Sequence, residues 1–192
     1  MPYKKHKQYR LPNYNYSEKG DYFITICTKN KIPYFGKIIE DQGVPIMDLS
    51  IIGIYLKESI NAIPKKYNMA TLGETIIMPN HVHLVITITD TTKKLQGIQS
   101  NIQHSLSPKK GLAPLTPGSI SSIINHLKGD LKKWCKANNY LMFAWQARFH
   151  DHIIRNSKSY NRINNYIANN IFTWQDDENN QKSKNFRKTI RP

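Results

Sequence analysis

Residues 78–86 (MPNHVHLVI) constrain the fold of this chain more than any other stretch. The Pro-Asn pair is typical of a turn, and the β-branched and apolar residues after it predict a strand that continues to Thr89. Because successive side chains of a strand point to opposite faces, His81 and His83 share one face, about 7 Å apart along the strand. Val82 lies on the other face, where it can pack into a core.

Two imidazoles side by side at the start of a strand make half of a divalent-metal site. A His-x-His pair also arises by chance, and the chain has a second one, His150 and His152, with the same spacing. We favour a structural role or a DNA contact for that second pair over a second metal, because no acidic or thiol partner has suitable spacing. The first pair needs a partner elsewhere in the chain before it defines a site.

The net charge of +15, from 28 Lys and Arg against 13 Asp and Glu, is the strongest global property of the chain. It favours a polyanionic partner, nucleic acid before membrane, although a basic solvated surface gives the same count. No run approaches the roughly 20 apolar residues of a membrane span, and the first residues lack the apolar core of a signal peptide. Two cysteines are too few for a disulfide framework, so we expect a reducing cytoplasm.

The order of predicted elements indicates an α+β fold with a ferredoxin-like antiparallel sheet and helices packed mainly on one face. Residues 72–78 and the His81 strand form a hairpin across the Pro-Asn turn. A turn-rich connection occupies residues 33–45, and Pro64 ends the first helical pattern. The other expected elements are a strand at 21–28, a helix from 48 or 50 to 62, a helix at 119–138, a strand or two short strands within 143–155, and a helix at 157–170.

The 192 residues are enough for one domain with appendages. Residues 1–20 interleave cations with tyrosines, which suits phosphate contacts and base stacking or a flexible basic arm. Residues 21–178 form the main domain, with a long variable loop at 90–117. Residues 179–192 make a basic tail that is disordered or binds nucleic acid.

The last helix carries Tyr166 and Asn170, which are four residues apart and therefore on one face, and Arg162 extends that face. A tyrosine hydroxyl can be a covalent nucleophile, and an amide oxygen suits a hard divalent ion beside two imidazoles. The simpler alternatives are a half-buried helix aromatic and a polar residue at a helix end.

The string Met-Pro-Asn-His81-Val-His83, together with Tyr166 and Asn170, resembles the HUH-type single-tyrosine transposases and most closely their REP-associated branch. The resemblance covers most of residues 10–178 except the loop around 90–117. The further matching stretches are Arg10-Leu11-Pro12, Tyr22-Phe23-Ile24-Thr25, Trp145-Gln146, Asp151-His152-Ile153-Ile154-Arg155, and Trp174 with Asp177. This chain departs from the branch at Ile171, where the branch usually has proline.

The resemblance implies that His81 and His83 bind Mg²⁺ or Mn²⁺, that Asn170 completes the metal shell, and that Tyr166 is the nucleophile. It further implies a bacterial enzyme, associated with the nucleoid when bound to DNA. Such an enzyme attacks single-stranded, hairpin-associated DNA to give a 5′-phosphotyrosine and a free 3′-OH, and rejoins strands without ATP. It acts as a monomer or a homodimer.

Several basic side chains are candidates for DNA contacts, although the lysines of the 119–138 helix also suit a solvated face. The candidates are Arg10, Lys128, Lys132, Arg148, His152, Arg155 and Arg162. Two other functions stay open: a nucleic-acid-binding protein of the same fold that no longer cuts, and a nickase similar to replication initiators.

Overall fold

The computed structural model describes residues 16–89 and 116–180. Within these residues the strands are β1 (Gly20–Cys27), β2 (Gly36–Asp41), β3 (Val44–Leu49), β4 (Ala70–Met78), β5 (His81–Ile88) and β6 (His150–Ile154). The α-helices of the same residues are α1 (Ile51–Asn61), α2 (Ile63–Lys66), α3 (Ile120–Ala137) and α4 (Ser157–Asn169).

Four strands form an antiparallel sheet in the order β4-β5-β1-β6, and β2 and β3 form a separate hairpin. The antiparallel α+β fold predicted from the sequence is confirmed. The tight turn between Met78 and His81 is confirmed as well, because these two residues are paired at the end of the β4–β5 ladder. The histidine strand β5 lies inside the sheet, between β4 and β1.

The two faces of the sheet pack against different helices. On one face, Ile24 and Leu84 belong to the main core with α1 and α3 residues such as Leu56 and Ile123, all fully buried. On the other face, Val85 of β5 packs against Ile163 and Ile167 of α4. His81, His83 and Val85 are alternate residues of β5, so their side chains point to the same face of the sheet, which is the face that α4 covers.

Polar side chains fix where three of the helices begin. Ser50, Ser119 and Asn156 each accept a hydrogen bond from the backbone N–H three residues later, at 3.1, 3.2 and 2.8 Å. An N-cap of this kind satisfies a donor that the first helical turn leaves unpaired. The cap at Asn156 sets the start of α4 and so the position of Tyr166 on it.

The connection expected at residues 33–45 instead contains the β2–β3 hairpin. Gln42 and Gly43 both have positive φ, 49° and 79°, which two-residue hairpin turns require. Pro64 does not end a helix but lies in the first turn of α2, where its missing N–H costs nothing. Of residues 143–155, only 150–154 form a strand, and Trp145 makes an isolated bridge to Thr28.

Three regions singled out in the sequence lie outside the described residues. These are the basic arm up to residue 15, with Arg10, the loop from 90 to 115, and the tail from 181. Among the helices in the described ranges, none combines the length and the apolar character needed to cross a membrane.

Candidate metal and nucleophile site

The imidazoles of His81 and His83 lie side by side at the start of β5, and their Nε2 atoms are 3.0 Å apart. Both are buried, with exposures of 0% and 3%. They are paired across the sheet with Cys27 and Thr25 of β1, whose side chains share their face. The prediction that the two histidines share one face is confirmed.

Burial is the main reason why the pKa of each histidine is lowered to about 3. The positive charge of Lys31 lowers the pKa of His81 further, and His81 does the same to His83. Both imidazoles are therefore neutral at neutral pH. A neutral imidazole keeps the lone pair that a metal ion needs.

Asp177 brings a carboxylate to the histidine pair. Its Oδ2 lies 3.9 Å from His81 Nε2, and its side chain is only 6% exposed. One potential ligand atom from each of His81, His83 and Asp177 falls within 4.8 Å of the others. The sequence pointed to Asp177 only through its match to the transposase pattern, because the irregular segment after α4 has no period that would place it.

Asn170 adds an amide oxygen with no hydrogen-bond partner among the residues the structure describes. The residue is 1% exposed, and an unpaired buried carbonyl is costly. Its carboxamide is close enough to raise the pKa of His81 and to lower that of Tyr166. The donor set fits a divalent cation such as Mg²⁺ or Mn²⁺, because it consists of two neutral imidazoles, a carboxylate and an amide oxygen without a hydrogen-bond partner.

Tyr166 reaches the same cluster from α4, with its hydroxyl 3.3 Å from His83 Nε2. Its ring meets those of Phe23 and His83 edge-on, at centroid distances of 6.1 and 5.3 Å, and it remains 45% exposed. Burial, followed by the negative charge of Asp177, raises the pKa of Tyr166, which Asn170 partly offsets. Without a cation the phenol is therefore protonated at neutral pH.

Tyr166, His83, Asn170 and Asp177 line a cleft of about 540 Å³ that is open to solvent, whereas the fully buried His81 is not part of its lining. Lys31 also lines it and donates a hydrogen bond from Nζ to the Glu178 backbone oxygen, at 3.0 Å. His150 of the edge strand β6 lies on the cleft wall, so one member of the second His-x-His pair borders the site.

A second groove of about 660 Å³ lies between β6 and α4, and the charged side chains that line it are three cations and one acid, Asp151. It brings together three of the predicted nucleic-acid contacts, His152, Arg155 and Arg162, and adds Lys158. Because His150 and His152 are two residues apart on one strand, they face the same side and link the cleft to the groove.

The structure places the other predicted contacts elsewhere. Lys128 is turned inward, and its Nζ donates to the backbone oxygens of Gln146 and Arg148, both at 2.8 Å. Burial lowers the pKa of Lys128. Lys132 is exposed on α3, which packs on the sheet face opposite the histidines, and Arg148 is exposed at a positive φ of 67°. The structure does not bring Lys132 into the histidine cleft.

No family model matches the sequence. An uncharacterized protein of Haemophilus influenzae is 37% identical over 169 residues, which cover 88% of this chain and 89% of that protein. Among solved structures, the REP-associated tyrosine transposase bound to a REP hairpin superposes with a TM-score of 0.54 at 19% identity. That match covers 86% of this chain and 72% of the transposase.

The level of identity to the Haemophilus protein establishes common family membership, and the structural match establishes the fold. The chain therefore belongs to the family of this Haemophilus influenzae protein and has the fold of the REP-associated tyrosine transposase.

Proposed function

We propose that the protein is a metal-dependent single-strand DNA transposase and endonuclease, which cuts and rejoins hairpin-associated DNA through a 5′-phosphotyrosine. The observation that carries this proposal is the Tyr166 hydroxyl 3.3 Å from His83 Nε2, at the edge of a cluster with Asp177 and Asn170. A half-exposed tyrosine next to a cation site is the arrangement that nucleophilic attack on a phosphate needs. The shared fold with a transposase bound to a REP hairpin supports the substrate class.

His81, His83 and Asp177 would hold the metal, and Asn170 Oδ1 would complete its shell. A bound Mg²⁺ or Mn²⁺ supplies positive charge for the scissile phosphate and the leaving 3′ oxygen. Because both imidazoles are neutral, each already has one ring nitrogen with a lone pair, and neither has to lose a positive charge before it binds a cation.

Tyr166 attacks the phosphate in line. Its oxygen forms the new O–P bond as the bond from phosphorus to the 3′ oxygen breaks. The phenol proton passes to water in the open cleft, and the leaving 3′ oxygen takes a proton from water to become the 3′-OH. Since the product is again a phosphodiester, the reverse attack by a 3′-OH rejoins a strand without ATP. The raised pKa of Tyr166 means that positive charge near the phenol must favour its ionised form.

The DNA strand would run from the cleft along β6 into the basic groove. His150 and His152 lie on this route, and Arg155, Lys158 and Arg162 supply charge for the backbone phosphates. Arg10, Lys132 and Arg148 stay proposed as contacts with more distant parts of the substrate. The proposed partner is single-stranded or hairpin DNA, bound in the bacterial cytoplasm by a monomer or a homodimer.

The test is a cleavage assay on labelled single-stranded hairpins, taken from palindromes that flank the gene, with Mg²⁺ or Mn²⁺. We compare the native protein with Tyr166→Phe and use Tyr160→Phe, on the same helix, as the matched control. The proposal predicts a covalent protein–DNA adduct in the native protein and the control but not in Tyr166→Phe. An adduct that survives Tyr166→Phe would move the nucleophile elsewhere. Tight hairpin binding with no cut in either metal would favour the binding-only function.

A further inference from the structure

Asn80, in the turn just before the histidine strand, uses all of its side-chain hydrogen-bonding groups inside the protein. Its Nδ2 donates to the backbone oxygens of Lys31 and Asn179, at 2.9 and 2.8 Å. Its Oδ1 lies 2.9 Å from His81 Nδ1. The residue is 2% exposed, so water does not compete for these bonds.

These contacts determine which nitrogen of His81 carries the proton. Because both hydrogens of Asn80 Nδ2 point to carbonyl oxygens, the amide orientation is fixed and Oδ1 can only accept. His81 Nδ1 must then be the donor. In a neutral imidazole this leaves Nε2, the atom facing the site, with its lone pair free for a cation.

His83 has a different kind of partner. Its Nδ1 lies 2.8 Å from the Thr25 hydroxyl, which can donate or accept a hydrogen bond by rotating. Its Nε2 lies 3.0 Å from His81 Nε2, which has no proton to give. Two nitrogen lone pairs 3.0 Å apart would repel each other, so without a cation His83 carries its proton on Nε2 and donates it to His81. The Tyr166 hydroxyl, 3.3 Å from the same nitrogen, then has no lone pair there to donate to, and His83 accepts at Nδ1 from Thr25. With a cation on Nε2, the proton must move to Nδ1 and Thr25 must accept.

We propose that Asn80 and Thr25 are positioning residues with unequal roles: Asn80 locks His81 in the Nδ1–H tautomer, and Thr25 lets His83 exchange tautomers when a divalent cation binds. The inference rests on the metal site of the proposed function. His81 would have its metal-binding tautomer before a cation binds, whereas His83 would adopt that tautomer only when the cation is present.

The same asparagine also connects the parts of the chain that form the site. Lys31 and Asn30 before it both have φ of 55°, a left-handed conformation that is unusual for residues other than glycine. The bond from Asn80 to the Lys31 oxygen stabilises this strained turn. The bond to Asn179 holds the segment that carries Asp177, two residues earlier, beside the histidines. One side chain thus connects the tautomer of His81 with the placement of the carboxylate.

The experiment is a long-range ¹H–¹⁵N correlation spectrum of the histidine rings in the full chain at pH 7, without cation and with saturating Mg²⁺. The expected result is Nδ1–H for His81 in both states. For His83 we expect Nε2–H without cation and Nδ1–H with Mg²⁺. An Nε2–H form of His81 in the cation-free protein would overturn the role of Asn80.

Variants separate the two positioning residues. Asn80→Ala removes the acceptor and should give His81 a mixture of tautomers, whereas Asn80→Asp keeps an acceptor and should restore Nδ1–H. Thr25→Val should lower Mn²⁺ affinity, measured by calorimetry, by about 10- to 100-fold. Thr25→Ser should retain the affinity, and so should the control Thr71→Val on an exposed position of β4. Unchanged His81 tautomer in Asn80→Ala, or unchanged affinity in Thr25→Val, would contradict the proposal.

The same spectra distinguish an error in the proposed metal site from an error in the role of Asn80. If saturating Mg²⁺ left every histidine signal unchanged, both that site and the exchange at His83 would be wrong. The cation-free spectrum would still decide whether Asn80 fixes His81, because that observation needs neither a metal nor DNA cleavage.

Discussion

The Asp177 carboxylate lies 3.9 Å from His81 Nε2, although 96 positions along the chain separate these two residues. The segment after α4 brings the carboxylate back to the start of β5, into the site that Tyr166 enters from the helix. We expect Asp177→Asn to lower Mn²⁺ affinity by about tenfold or more, because the amide lacks the charge of the carboxylate. Calorimetry with Mn²⁺ measures the change. Asp41→Asn, on the separate β2–β3 hairpin, should leave the affinity unchanged.

The buried histidines should make the protein less stable in acid. Their folded-state pKa of about 3 is below the ordinary value of 6.5, so between these values the unfolded chain binds protons that the folded chain does not. Stability should therefore fall as the pH decreases from about 6.5 towards 3, by up to about 1.4 kcal/mol per pH unit for each histidine. Urea unfolding at several pH values measures this slope. His83→Gln should reduce the slope, whereas Asn125→Gln, at an exposed position of α3, should not. Equal slopes in all three proteins would contradict the explanation.

The basic groove should contribute to DNA binding mainly through charge. Arg155→Ala and Arg162→Ala should each weaken binding of a single-stranded oligonucleotide and reduce the slope of log affinity against log salt by about 0.7. Fluorescence anisotropy across a salt series measures both effects. The control is Lys57→Ala, an exposed cation on α1. If the arginine variants and the native protein had the same salt slope, the DNA would not bind in this groove.

Lys128 should matter for stability. Its ammonium group holds the backbone oxygens of Gln146 and Arg148 and lies 5.8 Å from the centroid of the Trp145 ring. We expect Lys128→Ala to lower the free energy of unfolding by about 1–3 kcal/mol, since two carbonyls lose a charged donor. Denaturant unfolding measures the loss. The exposed Lys132→Ala on the same helix should change stability by less than about 0.5 kcal/mol.

The sequence predicted the parts of the site that regular elements position. Strand alternation put His81 and His83 on one face, and helical spacing put Tyr166 and Asn170 on another. Neither period shows which helix lies over which face of the sheet. That relation follows from the packing of Ile163 and Ile167 against Val85, which is a tertiary property.

Irregular segments position the parts of the site that the sequence pattern does not predict. Asp177 lies after a 3₁₀ turn, and Lys31 lies in a left-handed turn after β1, so neither has a periodic neighbour that would place it. The sequence does not predict the β2–β3 hairpin, because its glycines and Pro45 are typical of an irregular connection as well as of a two-residue turn with glycine at positive φ. The inward turn of Lys128 depends on carbonyls that only the folded chain brings near it.

Tyr166 is the residue proposed to form the covalent bond to DNA, and peptide mapping by mass spectrometry identifies the residue that carries the nucleotide. The native protein is incubated with a cleavable hairpin and Mg²⁺, then digested with a protease and a nuclease. We expect a nucleotide joined through its 5′ phosphate to the peptide that contains Tyr166. A nucleotide on any other peptide, or none although the hairpin has been cut, would contradict it.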